Sequence, residues 1–154
     1  MSEALRIADQ LRRAFDGEAW HGDSLFEILQ DVTAAQASSR PIPGAHSIWE
    51  LALHIAAWDD VALRSLRGFD VVISDAENFQ PVADSSESAW REALARVRCV
   101  HEELIAAVAT LPDSRLEEIV PGKKEAWFTF YFMLHGVVQH ELYHAGQIAL
   151  LKKM

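Results

Sequence analysis

Apolar residues recur every three to four positions along most of this chain, the spacing of helices packed on one face, and little of it alternates as a strand would. Between Ser2 and Phe15, the residues Leu5, Ala8, Leu11 and Phe15 fall on one side, and Asp16-Gly17 marks the end. A shorter helix is predicted from Ser24 to Val32 on Leu25, Ile28, Leu29 and Val32, before Arg40-Pro41-Ile42-Pro43-Gly44 breaks the pattern. Ser47-Ile48-Trp49-Glu50 is a capping box and opens a helix expected to run to about Arg67, ahead of Gly68. Residues 69–86 read as irregular, long for a connection in a compact domain, and suited to a lid or an interface. A third long helix is predicted from about Ser86 to Leu111, with a seam of Ala93, Val97, Val100, Leu104, Ala107 and Leu111. Beyond Pro121-Gly122, the aromatic run Trp127-Phe128-Thr129-Phe130-Tyr131-Phe132 leads into a last helix that is apolar nearly all round and therefore buried. The expectation is an all-α fold: one domain over residues 1–154, built as a four-helix bundle with an extra short helix and long connecting loops.

Composition narrows the function classes. A chain of 154 residues, half of them apolar, can bury a substantial core without disulfide or metal staples. No apolar stretch reaches the length of a membrane span, and Met1-Ser2-Glu3-Ala4-Leu5-Arg6 lacks the basic flank and apolar run of a signal peptide. Cys99 stands alone, which excludes an intrachain disulfide, makes a cytoplasmic setting the expectation, and suggests a small buried apolar residue. A net charge of −9 argues against a nucleic-acid partner and fits a solvated acidic exterior.

The chemistry concentrates near the C-terminus, in His140-Glu141-Leu142-Tyr143-His144-Ala145-Gly146-Gln147. Histidines four apart on a helix lie one above the other, so both imidazoles can reach one point. The string also matches the H-E-x-x-H of zinc peptidases, but Ala145 to Met154 holds no His, Asp, Glu or Cys to complete a site. A third ligand has to come from upstream. His54 shares a helical face with Leu51, Trp58 and Val61 and is expected to point into the bundle. His54, His140 and His144 together would hold a divalent transition metal, zinc or nickel first and iron or copper as alternatives, with a position left for water or substrate.

With these residues in place, the chain resembles the DinB-like superfamily of metal-binding four-helix bundles. The resemblance runs from Trp20-His21-Gly22-Asp23-Ser24-Leu25 through Gln147, and is strongest at His54-Ile55-Ala56-Ala57-Trp58 and at His140-x-x-x-His144-x-Gly146-Gln147. It implies a histidine triad at His54, His140 and His144, on a bundle whose helices connect in an unusual order. It also implies a thiol-dependent transferase or a hydrolase-like enzyme acting on a small molecule, with a low-molecular-weight thiol as partner. A metal-binding module without turnover and a structural, dimerising bundle are the alternatives, and a homodimer is the expected assembly.

Other residues have two readings each. Glu141 holds the position of the peptidase general base, yet lies about 100° around the helix from His140; otherwise it is a solvated or salt-bridged carboxylate. Glu50 either completes the capping box or accepts a hydrogen bond from His54, and Gln147 either orients His144 or lines the pocket. Trp49, Trp58, Trp127 and Tyr143 read as core or pocket wall. His21, His46, His101 and His135 are expected mostly away from the site.

Overall fold

Every α-helix of this protein starts just after a serine or a threonine. In the computed structural model, which describes residues 1–154, the caps are Ser2, Ser24, Thr33, Ser47, Ser74, Ser86 and Thr129. Their side-chain oxygens suit the amide donors that a first helical turn leaves unpaired. The helices are α1 (Glu3–Phe15), α2 (Leu25–Leu29), α3 (Ala34–Ser38), α4 (Ile48–Leu66), α5 (Asp75–Asn78), α6 (Glu87–Ala109) and α7 (Phe130–Leu151). A 3-10 turn, Asp113–Glu117, follows α6, and the Asp113 carboxylate accepts from the backbone amides of Glu3 and Ala4, both at 3.0 Å. The end of α6 is thereby tied to the start of α1.

The four long helices form a square in which α1 touches α6 and α7, and α4 touches α6 and α7. Helices α1 and α4 face each other across a diagonal, as do α6 and α7. This order differs from a simple up-and-down bundle, in which consecutive helices are neighbours. The fold is all-helical, with one isolated bridge between Ile119 and Thr129, and no helix is long and apolar enough to cross a membrane.

The core has two apolar halves. One joins α2 and α3 to the first half of α4, the start of α6 and the end of α7, with Trp90 donating its indole N–H to the Val32 carbonyl at 2.7 Å. The other joins α1 to the far ends of α4 and α6, the 3-10 turn and the start of α7. At the junction sit three buried ionisable side chains, Asp59 of α4, His101 of α6 and Glu141 of α7.

Two predicted seams shift by a residue. In α6 the buried line is Trp90, Ala93, Val97, His101, Leu104 and Val108, because the true helical period drifts away from a strict four-three alternation. Val100 and Ala107 are only half-buried. In α1, Ala4 and Ile7 enter the core and Leu5 is exposed. Cys99 is exposed rather than buried, since it lies between the inward positions 97 and 101 and turns away from both. The predicted helix from Ser24 to Val32 ends at Leu29, and the stretch expected to be irregular, 69–86, contains α5.

Candidate metal centre

Helices α4 and α7 are neighbours, and their facing surfaces bring His54, His140 and His144 together. One ring nitrogen from each lies within 4.8 Å of the others. The Nε2 atoms of His54 and His140 are 2.9 Å apart, and the ring centroids are 4.8 Å (54 and 140), 4.7 Å (54 and 144) and 4.5 Å (140 and 144) from one another. The four-residue spacing on α7 stacks two rings, and α4 delivers the third from across the groove.

Two of the three rings are held from behind. Nδ1–H of His54 donates to the Asn78 carbonyl at 2.9 Å, and Nδ1–H of His144 donates to Oε1 of Gln147 at 2.6 Å. Both carbonyl oxygens can only accept, so each ring carries its proton on Nδ1 and leaves a lone pair on Nε2. Asn78 is fixed in turn, because its Oδ1 accepts from the Trp58 indole at 2.9 Å. Phe79 lies flat between two imidazoles, 4.2 Å from His54 and 3.7 Å from His46, both nearly parallel to it.

Charge state follows from burial. Desolvation lowers the pKa of His54 and of His144 despite the hydrogen bonds that favour protonation. Burial together with its two histidine neighbours drives His140 down to about 3. All three rings are neutral at pH 7, the form that binds a metal ion. Two nitrogens sharing one zinc ion at about 2.0–2.1 Å each lie at most about 4.2 Å apart, so a small inward swing of the rings suffices. The donor set therefore fits a divalent transition metal.

Of the supporting residues suggested by sequence, Gln147 contacts a triad ring and Glu50 does not. Glu50 completes the capping box, accepting from the Ser47 amide at 2.9 Å, and pairs with Arg40. The partner of His54 is a backbone carbonyl on α5, a single turn too short to show a helical repeat in the sequence. The helix itself has a signal, since Ser74-Asp75-Ala76-Glu77 is another capping box, but that box does not mark which carbonyl His54 uses.

Glu141 is neither solvated nor salt-bridged. It is fully buried, neither carboxylate oxygen has a hydrogen-bond partner, and it does not line the cavity at the triad. Burial pushes its carboxyl well above the usual range, with the His101 charge pulling down and the Asp59 charge pushing up. Its neighbours define a separate polar layer, in which His101 Nδ1–H donates to Asp59 at 2.8 Å and Nε2–H to the Leu11 carbonyl at 3.2 Å. With two acceptors and no donor around it, that ring is an imidazolium. Desolvation opposes its charge, but the Asp59 hydrogen bond and the Asp59 and Glu141 charges outweigh this and hold the pKa at about 9.

The triad lines a cavity of about 850 Å³ between α4, α7 and the loops that follow α4 and α6. Trp58 and Tyr143 belong to its wall, whereas Trp49 is core and Trp127 is exposed outside it. The two loops meet where Gly122, at φ +79°, lies so close to Asp70 that a Cβ would fall 2.0 Å from the carboxylate. A larger residue there would have to displace Asp70 and adopt a left-handed conformation.

No curated protein and no solved structure matches the chain. The sequence model of the DinB superfamily matches residues 19–148, which takes in all three histidines, helices α2 to α6 and most of α7, and leaves α1 outside. The chain belongs to the DinB superfamily, whose members generally bind metal.

Proposed function

We propose that this protein is a metal-dependent enzyme, a transferase that uses a low-molecular-weight thiol on a small-molecule substrate, with zinc or nickel held by His54, His140 and His144. One observation carries the reading: three neutral imidazoles converge at the wall of a cavity large enough for a small organic molecule. A purely structural metal is enclosed by four protein ligands, and only three are supplied here. When bound, the ion supplies Lewis acidity and lowers the pKa of a coordinating thiol.

The remaining chemistry belongs to the chain. Asn78 and Gln147 hold two imidazoles in the tautomer that presents Nε2. Trp58, packed against His54 and His140, and Tyr143, packed against His144, form part of the wall. Transfer is favoured over hydrolysis because Glu141, at the position of the peptidase base, faces the buried layer and does not line the cavity.

The test is metal content after native purification. The wild-type chain is expected to carry about one equivalent, and His140→Ala and His144→Ala to carry almost none. His54→Ala is expected to weaken binding by more than about tenfold, since losses of even supporting residues reach that scale. Full metal content in all three variants would refute the assignment.

A further inference from the structure

The cavity at the triad is elongated. From α4 it is lined by His54, Trp58, Val61 and Ser65, which all lie on one side of that helix. Eleven residues separate the ends, so the lined strip is about 16 Å long at 1.5 Å per residue. From α7 it is lined from Phe132 to His144, with the start of α7 lying opposite the end of α4. The histidines occupy one end of a trench, and the rest runs away from them along two helices.

Beyond the histidines, the trench is apolar. Val61, Ile73, Phe128, Phe132, Met133 and Val137 line it. Asp75, at the start of α5, and Lys123, on the loop after the 3-10 turn, are the charged groups of the lining, and both are exposed. At the histidine end, Oδ1 of Asn78 is already engaged by Trp58, which leaves its amide N–H groups beside the metal site. Nothing inside would compensate a phosphate, a carboxylate or an ammonium group for leaving water. Along this strip a polar peptide or sugar thiol finds the single hydroxyl of Ser65, whereas a hydrocarbon chain gains from every methylene it buries.

We infer that the trench binds an extended, largely apolar chain, alkyl or aryl-alkyl, whose polar head reaches the three histidines. This names the substrate class for the function proposed above and rests on that reading for the head, while the body of the trench stands on its own. Occupancy along α4 makes Val61 and, across the trench, Met133 the residues that set how much chain is accommodated.

The experiment is a calorimetric titration of the metal-loaded protein with n-alkyl hydroxamates, from acetohydroxamate through hexano- and octano- to decanohydroxamate. Affinity is expected to rise about three- to fourfold per added methylene until the trench is filled. Val61→Trp and Met133→Trp should each remove that gain while leaving acetohydroxamate binding in place; either variant that stays folded by circular dichroism suffices. Equal affinity for all chain lengths, with the head still bound, overturns the trench and leaves the metal reading intact. Should the protein take up no metal, the metal reading fails, and 1-butanol to 1-decanol titrated onto the metal-free chain decides instead. A rise with chain length that V61W or M133W abolishes upholds the trench, and a flat series overturns it.

Discussion

A histidine coordinates through a nitrogen that carries no proton, so whatever holds the opposite nitrogen decides how well the ring binds. Gln147 does this for His144 through a 2.6 Å hydrogen bond. Gln147→Ala is expected to weaken metal affinity by about 10- to 100-fold with little loss of stability, as measured by competition with a chromogenic chelator. Unchanged affinity would mean that packing alone orients the ring. At this scale, the two members on α7 and their glutamine were legible because helical spacing alone places them together. His54 was legible from its apolar helical face. The Asn78 carbonyl was not, because any residue type supplies a backbone oxygen and nothing in the side-chain pattern marks which one is used. Glu50 shows the converse problem: a carboxylate one turn from His54 can reach it, but Ser47 and Arg40 claim it first.

At the scale of the helices, α4, α6, α7 and α1 meet in the polar layer between the two apolar halves of the core. His101 is faced there by Asp59 from α4, the Leu11 carbonyl from α1 and Glu141 from α7. Its folded pKa of about 9 exceeds the unfolded value of about 6.5, so the folded state holds more protons between the two. Its contribution to stability is therefore complete below about pH 6.5 and is lost as pH rises through about 9. Asp59→Ala leaves that ring without its buried partner and is expected to cost about 3–5 kcal/mol at pH 6. The penalty should shrink towards pH 9, as read from denaturant midpoints at each pH; a penalty that does not change with pH would contradict the pairing. The sequence placed His101 beside the α6 seam rather than on it. A strict alternation of four and three steps through Val100, and only the drift of the real helix carries position 101 inward.

For the whole molecule, helix periodicity predicted the long elements, but not their neighbours. Apolar stripes on four helices allow several bundle orders, and it is the contacts that set α4 between α6 and α7 and so carry His54 across to the C-terminal pair. Loop 69–86 illustrates the limit: it carries no helical repeat beyond one turn, yet it supplies the Asn78 carbonyl, Phe79 and part of the trench wall. The family match, over residues 19–148, includes the three histidines that the fold brings together and leaves α1 outside. The most direct measurement is anomalous X-ray diffraction at the absorption edge of the metal found in the purified protein. A single strong peak is expected about 2.0–2.2 Å from one ring nitrogen of each of His54, His140 and His144. A peak elsewhere, or one bonded to the α7 pair while His54 stays out of reach, would contradict the three-histidine site.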